Sequence, residues 1–363
     1  MNIMILTARF GMGHYKVAEA IKEDIEKNDS GINATIVDFM SFLLPETSKL
    51  IYKCYDQLVF RSARLYNAIG KASNKVNSLP LKYIIALRIS KLISDNNADA
   101  IIVAFPLCSH YISAYKEMSG NKIPMYTCIT DVPAHSDWIA EDTRLYFVSS
   151  EETKETLVAK GVDEDAVRIT GVPVRSEFKS DGVASEATVE KKKLLVMGGG
   201  LGLLPGSDAL LDRLAGMSDV KVTIVAGKNK ELESKMTEKY PGLRVLGYTE
   251  EIGKLMKESD AVITKPGGVT MFEAINTGTP MYIVKPFLLQ EIGNAEYIEK
   301  NHIGRVLWSE KDATADDIDA YISNTGNIEA MKNNMYDIAK KDEKCDIITE
   351  ILSDMGKVEL KCS

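Results

Sequence analysis

The stretch Thr-Lys-Pro-Gly-Gly-Val-Thr-Met-Phe-Glu, residues 264–273, decides the fold of this chain. It follows the short apolar run 261–263, which predicts a buried strand, and it leads into a helix that Gly278 and Pro280 would end. A strand, a glycine turn and a helix N-terminus together form an anion site, because the helix presents unpaired N–H groups and the glycines let a phosphate approach. The alternative interpretation is an ordinary strand–turn–helix connection.

A second glycine loop, Gly198-Gly199-Gly200, follows the apolar run 194–197 in the same half of the chain. Short apolar runs and helical patterns alternate around these two loops, and the same alternation occupies residues 2–170. Such alternation is typical of parallel sheets with helices on both faces. The sequence therefore predicts an α/β fold of two tandem Rossmann-like, doubly wound domains with a cleft between them.

The domain boundaries follow from a stretch without apolar periodicity that ends in the basic run 191–193. We expect four parts: an N-terminal domain at 1–175, a linker at 176–192, a second domain at 193–335 and a C-terminal helical segment at 336–363. An amphipathic helix is predicted at about 327–354, and the C-terminal segment could pack back on the first domain.

The third glycine loop stands at the start of the chain, where Gly-Met-Gly-His at 11–14 follows a strand predicted at 2–7. It lacks the third glycine of a dinucleotide fingerprint, and Asp38 is only a weak match to the acidic residue of that fingerprint. A helix predicted at about 15–27 would place His14 at its N-terminus. A neutral imidazole there can accept a proton from a hydroxyl group, whereas the alternative is a surface histidine that caps the helix.

A cluster of polar residues follows the strand predicted at 124–129, and it consists of Asp131, His135 and Asp137. Parallel α/β folds bind ligands in the crevice beyond the carboxyl ends of their strands. The cluster is therefore a candidate site. The alternative is a set of loop residues that cap turns.

Residues 45–92 form a basic segment within an acidic protein. They carry nine basic and two acidic residues, a net charge of +7, whereas the whole chain has a formal net charge of −8. Aromatic and aliphatic residues lie between these charges at helical spacing. Such a segment suits the surface of an anionic membrane. The alternative is a pair of core helices with solvated lysines.

The composition argues against several other classes of protein. The 363 residues are 45% hydrophobic and 26% charged, as in soluble globular proteins, and no run approaches the roughly 18 apolar residues of a membrane span. The five cysteines are scattered without a CxxC pair, which argues against a disulfide framework or a zinc site. The acidic net charge gives no indication of a nucleic-acid partner. The chain enters a strand without a signal-peptide pattern, so we expect a cytoplasmic location.

The glycine loops and the polar residues after them suit a nucleotide diphosphate that carries a sugar. The phosphates would lie near the loops, the ribose near Glu273, and the sugar beside the carboxylate and amide groups that follow the strand 280–284. The candidate donor-binding residues are Gly198, Gly199, Gly200, Gly267, Gly268, Thr270, Glu273, Gln290, Glu291 and Asn294. His14 and Asp131 would activate an acceptor hydroxyl for attack on the anomeric carbon, which is glycosyl transfer. Because helix dipoles and loop N–H groups would stabilise the departing phosphate, we expect neither a metal nor another cofactor.

Motifs in both halves resemble those of one enzyme family. They are Thr130-Asp131 with His135 and Trp138, Ile-Thr-Gly-Val-Pro-Val-Arg at 169–175, Met-Gly-Gly-Gly at 197–200, Ile-Thr-Lys-Pro-Gly-Gly-Val-Thr at 263–270 with Glu273-Ala274, and Gln290-Glu291 with Gly293-Asn294. The pattern is similar to that of the bacterial and plastid diacylglycerol glycosyltransferases of the family 28 type, which include monogalactosyldiacylglycerol synthase and processive diacylglycerol glucosyltransferase. The first glycine loop departs from the family pattern at Phe10, Met12 and Tyr15.

This resemblance implies a GT-B fold, an inverting mechanism, a UDP-sugar donor and a diacylglycerol-type acceptor drawn from the membrane. It makes His14 the base and Glu273 the ribose-binding glutamate. The residues that match the family's donor-sugar contacts are Gln290, Glu291 and Asn294, and those that match its acceptor side are Gly13, Asp131 and His135. The chain would act as a peripheral protein on the inner face of the cell membrane. A soluble or polyprenyl-linked acceptor is one alternative, and a catalytically silent nucleotide-sugar-binding protein is another.

Overall fold

Two parallel six-stranded sheets carry the described part of the chain, one in each of two units. The structure is a computed structural model, and it describes residues 1–27, 31–61, 81–179, 191–200, 202, 204, 208–286, 288–309, 315–342 and 345–357. The first unit comprises Met1–Ser176 and Lys341–Ser363, and the second comprises Glu177–Lys340. Most of the predicted linker, residues 176–192, lies outside the described residues.

The first unit is a doubly wound sheet. Its strands are β1 Asn2–Thr7, β2 Asn33–Asp38, β3 Ala100–Val103, β4 Met125–Cys128, β5 Thr143–Val148 and β6 Val167–Ile169. Its helices within the first 176 residues are α1 Gly13–Lys27, α2 Phe39–Leu43, α3 Ser48–Arg61, α4 Lys82–Asp95, α5 Pro106–Ser119 and α6 Glu151–Ala159. The strand order is β2-β1-β3-β4-β5-β6, and all neighbours are parallel, so each connection is a crossover.

The second unit repeats this architecture. Its strands are β7 Lys192–Met197, β8 Val220–Val225, β9 Arg244–Leu246, β10 Ala261–Thr264, β11 Met281–Val284 and β12 Gly304–Leu307, in the order β12-β11-β10-β7-β8-β9. Its helices are α7 Asp208–Gly216, α8 Lys230–Lys239, α9 Ile252–Lys257, α10 Gly268–Thr277, α11 Leu289–Lys300, α12 Ala315–Ser323 and α13 Thr325–Asp342. The predicted tandem of doubly wound α/β domains is confirmed.

Buried apolar runs specify the strands at the centre of each sheet. Every residue of β10 is buried, and in β1 all residues except Asn2 are buried. A strand covered by helices on both faces loses the alternation of an exposed strand and becomes a continuous apolar run. Helix α1 buries Val17, Ile21 and Ile25 on one face.

Helix limits differ from the predictions at two points. Helix α1 begins at Gly13, two residues before the predicted start, so His14 lies inside its first turn. The predicted helix 327–354 is wrong, because α13 ends at Asp342 and a separate helix, α14, spans Ile347–Asp354. The break has a local cause, since Asp346 caps α14 by accepting a hydrogen bond from the Thr349 N–H at 2.9 Å. The described part of α7 begins at Asp208.

The basic segment 45–92 is described in part. It includes α3 and most of α4, whereas 62–80 lie outside the described residues. Helix α4 buries Ile85, Ile89 and Leu92 in the core of the first unit. Over the described ranges, the helices are too short or too polar for any of them to cross a bilayer.

Candidate active site

The loop between β1 and α1 places His14 beyond the carboxyl edge of the first sheet. Gly11 and Met12 both have positive φ angles, of 70° and 66°, which turn the chain sharply before α1. The His14 imidazole then faces the end of β4, where its Nδ1 lies 3.1 Å from the Thr130 hydroxyl oxygen. The loops that follow β1 and β4, two strands that β3 separates in the sheet, thus meet at this imidazole beyond the carboxyl edge.

The surroundings of His14 favour its neutral form. Burial lowers the pKa of the imidazole. The nearby Asp131 carboxylate and a backbone hydrogen bond at Ala104 both raise this pKa, but burial has the larger effect. The rings of Phe105 and Trp138 lie 5.2 and 5.9 Å from the imidazole, measured between ring centroids. A neutral imidazole with a carboxylate beside it can accept a proton and is then stabilised as a cation.

Hydrogen bonds to the backbone hold the loop that carries Asp131 and His135. The Thr153 hydroxyl donates to the Val132 carbonyl at 2.8 Å, and the Ser149 hydroxyl donates to the Asp131 carbonyl at 3.4 Å. His135 begins the 3₁₀ turn Ser136–Trp138, in which the Trp138 N–H donates to the His135 carbonyl at 3.1 Å. The structure therefore brings Asp131 close to His14 and leaves His135 at the start of the turn that supplies Trp138.

An aromatic cluster that the sequence did not predict supports the first glycine loop. The Phe10 ring lies 4.9 Å from both Tyr52 and Tyr55 of α3 and 5.3 Å from Phe105. The Tyr52 hydroxyl also accepts the Arg9 N–H at 3.1 Å. The only signal in the sequence was that Phe10 interrupts a glycine loop, because its partners lie more than 40 residues away.

Asp38 supports the same loop. Its carboxylate lies 3.3 Å from the Arg9 guanidinium, and it accepts hydrogen bonds from the Tyr52 hydroxyl and from the Ser41 N–H at the start of α2. The weak dinucleotide match at Asp38 is therefore explained by a helix cap with an ion pair.

The second unit presents its own group of candidates at the carboxyl end of β10. Gly267 is the N-terminal cap of α10, Gly268 and Thr270 lie in its first turn, and no side chain caps this helix among the described residues. The first-turn N–H groups and the positive end of the helix dipole thus point toward the strand ends. Glu273 lies one turn further along the helix, and its side chain is buried.

The triple glycine after β7 is fixed against the loop after β8. A Cβ atom on Gly227 would lie 2.9 Å from the carbonyl oxygens of both Gly199 and Gly200. The Lys228 N–H also donates to the Gly200 carbonyl at 3.2 Å. Gly227 has a φ of 58°, so neither its space nor its backbone suits a side chain. The loop Gly198-Gly199-Gly200 therefore has a defined position at the strand ends of the second sheet.

Glu291 and Asn294 lie in the first part of α11, and both are buried. The Glu291 carboxylate accepts the Leu288 N–H at 3.3 Å and pairs with the Lys265 ammonium at 3.2 Å. The Asn294 amide donates to the Pro266 carbonyl at 3.0 Å. These two residues thus hold the loop that precedes α10, whereas Gln290 is partly exposed. Contact of the three with a donor sugar stays a prediction.

The described residues contain no group of three or more His, Cys, Asp or Glu side chains arranged to hold a metal ion. The expectation that the reaction needs no metal stays a prediction. What the described residues do offer is a histidine beside a carboxylate in the first unit, which suits proton transfer, and a helix N-terminus with a glycine loop in the second, which suits an anion.

Comparison with known proteins assigns the chain to a family. Residues 14–174 match the family profile described as monogalactosyldiacylglycerol (MGDG) synthase, and 193–351 match the glycosyltransferase family 28 C-terminal domain. A processive diacylglycerol beta-glucosyltransferase from Bacillus pumilus is 30% identical over 374 residues, covering 97% of this chain and 94% of that protein. The chain belongs to this family of glycosyltransferases. A second relative with the same name, from Bacillus subtilis, is 28% identical over 385 residues, covering 99% of this chain and 97% of the relative.

Solved structures show the same fold as this glycosyltransferase. MurG from Acinetobacter baumannii has a TM-score of 0.60 at 13% identity, with 98% of this chain and 99% of that chain covered. MnaA from S. aureus, solved with UDP, has a TM-score of 0.61 at 11% identity, with 100% and 99% covered. The predicted family and fold are confirmed. His14 opens the first matched region, and every donor-binding candidate lies inside the second.

Proposed function

We propose that this glycosyltransferase is an inverting enzyme that moves a hexose from a UDP-sugar to a diacylglycerol-type lipid at a membrane surface. The observation that carries the proposal is the half-buried His14 imidazole beside Thr130 and Asp131, with its pKa lowered by burial, in a chain whose relatives are named diacylglycerol beta-glucosyltransferases. The uncapped start of α10 and the fixed triple glycine support a diphosphate donor in the second unit.

The proposed reaction is a single displacement at the anomeric carbon. His14 takes the proton of the lipid hydroxyl, and the hydroxyl oxygen forms a bond to the anomeric carbon as the bond to the UDP oxygen breaks. The electron pair of the broken bond stays on the diphosphate, where the N–H groups of α10 and the glycine loop stabilise the added charge. Asp131 stabilises the imidazolium that forms. Attack opposite the leaving group inverts the anomeric configuration.

The surface of the first unit supports a lipid acceptor. On α4 the side chains of Tyr83, Ile84 and Leu87 are exposed by 66, 55 and 76%, although the opposite face of the helix is in the core. Lys82 and Lys91 flank this patch on the same helix. Exposed apolar side chains beside lysines suit the interface of an anionic bilayer. We propose this patch, within the segment 45–92, as the membrane contact on the cytoplasmic face of the cell membrane.

The activity is tested with vesicles that contain diacylglycerol and with labelled UDP-glucose and UDP-galactose. We expect a labelled glycolipid from one of the two donors, and no product from His14→Ala at an unchanged UDP affinity. Turnover of His14→Ala within about tenfold of wild type would refute the assigned base. UDP binding without any glycolipid product would favour a soluble or polyprenyl-linked acceptor, or a silent nucleotide-sugar-binding protein.

The membrane contact is tested separately by vesicle flotation. Leu87→Glu should reduce binding to anionic vesicles, and high salt should reduce the binding of wild type. Val158→Glu is the matched control, because Val158 is an exposed apolar residue on α6 of the same unit. Equal loss of binding in both variants would argue against α4 as the contact.

A further inference from the structure

Lys265 is a cation that lies between two glycine loops of the second unit. It follows β10 directly, and its carbonyl accepts the Gly267 N–H at 2.9 Å, which fixes the backbone before α10. Its side chain crosses to the other loop, because a Cβ atom on Gly199 would lie 3.5 Å from the Lys265 Cε. The ammonium group is therefore held near the triple glycine and near the start of α10, the two places that suit a diphosphate.

A buried carboxylate fixes the ammonium in this position. Glu291 is 2% exposed, and its two oxygens accept from different donors: Oε1 pairs with the Lys265 ammonium, and Oε2 accepts the Leu288 N–H at the start of α11. An ionised carboxylate is costly to bury unless it is paired and hydrogen-bonded. Glu291 thus gains its partners from within the protein, and its burial is explained without a sugar.

Asn294 completes the support of the same loop. Its amide donates to the Pro266 carbonyl, so α11 holds both the side chain of Lys265 and the backbone of the next residue. The Lys265 side chain is 24% exposed, so part of it is accessible to a ligand. The Glu291 carboxylate is buried and the Lys265 ammonium lies in front of it, so the pair orients the ammonium toward the open side.

We propose that Lys265 meets the diphosphate of the donor and that Glu291 positions Lys265, instead of contacting the sugar. This inference rests on the proposed function, because it names the residue that receives the leaving group. As the bond from the anomeric carbon to the diphosphate oxygen breaks, the electron pair remains on the diphosphate. The ammonium donates a charge-assisted hydrogen bond to that oxygen, and its ion pair with Glu291 holds it in position to do so.

The inference is tested by calorimetry with uridine, UMP and UDP, which differ only in their phosphates. Lys265→Met should weaken UDP binding roughly ten- to a hundredfold, as expected for a lost hydrogen bond between charged groups, and should leave uridine binding unchanged. Lys265→Arg should restore most of the UDP affinity. Lys254→Met is the matched control, because Lys254 is an exposed lysine on α9 of the same unit.

Glu291→Gln separates positioning from general support. A positioning role predicts a lower ratio of UDP to uridine affinity and a loss in kcat that exceeds the change in KM. A structural role predicts that uridine and UDP affinities fall together with the unfolding midpoint. UDP affinity of Lys265→Met within about twofold of wild type, or equal loss of uridine and UDP affinity, would overturn the inference.

These binding experiments remain informative if the proposed lipid acceptor is wrong. Selective loss of UDP affinity supports the role of Lys265 even when wild type forms no glycolipid. Conversely, a glycolipid product from wild type with unchanged UDP affinity in Lys265→Met supports the function and refutes the role of Lys265. Absence of UDP binding by wild type would refute both.

Discussion

Replacement of Asp342 by asparagine should stabilise the first unit, and the gain should depend on pH. The Asp342 carboxyl packs against the α-carbon of Gly171 and leaves no room there for a Cβ atom. Its Oδ2 atom is buried and has no hydrogen-bond partner among the described residues. Burial raises the pKa of this carboxyl from 3.8 to about 7.

The size of the effect follows from the two pKa values. The carboxyl ionises near 3.8 in the unfolded chain and near 7 in the folded protein, so between these values the folded state binds more protons. The stability of wild type therefore falls as the pH rises from about 4 to about 7, and it stays low above that range. The whole shift in pKa corresponds to a loss of about 4 kcal/mol in the free energy of unfolding at neutral pH and above. Because the residue as a whole is only partly buried, water reduces this penalty, and we expect about 2 kcal/mol.

Urea unfolding of wild type and Asp342→Asn at several pH values measures this difference. The advantage of the variant should grow from about 1 kcal/mol near pH 5 to about 2 kcal/mol near pH 8, because asparagine does not titrate. Asp337→Asn is the control, since Asp337 is an exposed carboxylate on the same helix, α13. A difference that is constant with pH, or a variant less stable than wild type near pH 8, would refute the reasoning.

The remaining predictions concern the two halves of the site. Because burial lowers the pKa of His14, the acidic limb of a pH profile of kcat/KM should lie below 6.5, and a limb above that value would contradict the burial. Thr130→Val should lower kcat/KM roughly fivefold by removing the hydrogen bond to the imidazole, with UDP affinity unchanged in calorimetry. Gly227→Ala should weaken UDP binding about tenfold, because its Cβ would displace the triple glycine, and normal affinity would show that the loop tolerates the shift. Glu273→Ala should weaken UDP binding by about 1–3 kcal/mol if its carboxylate holds the ribose, and a wild-type affinity would refute that placement.

The sheets were predictable because their signal is local. The strands of both units are short apolar runs, and glycines or prolines stand close to many of their ends, as at Gly198 after β7 and at Gly278 and Pro280 before β11. Crossover topology then places all strand ends of one sheet along the same edge. The loop residues His14, Thr130 and Asp131 therefore come together, although 116 residues separate the first two.

The supports of the site were not predictable, because they depend on packing between distant segments. The sequence places Glu291 and Asn294 among the candidates for the donor sugar, but it gives no sign of their contacts with Lys265 and with the Pro266 carbonyl in the loop before α10. The sequence likewise gives no sign of the ion pair of Lys265, because its partner Glu291 lies 26 residues away. A sequence shows that a side chain can form hydrogen bonds, but its partner is chosen by the packing of helices on the sheet.

Helix α4 shows why the two interpretations of the basic segment do not exclude each other. Its periodicity fits a core helix, and Ile85, Ile89 and Leu92 are indeed in the core. A helix that served the core alone would have a polar outer face, whereas Tyr83, Ile84 and Leu87 are each more than half exposed. Apolar surface gains roughly 25 cal/mol for each Å² that leaves water, so covering this face would be favourable. One helix can therefore pack in its own domain with one face and leave an apolar face exposed on the other, and amphipathic periodicity alone predicts only the buried face.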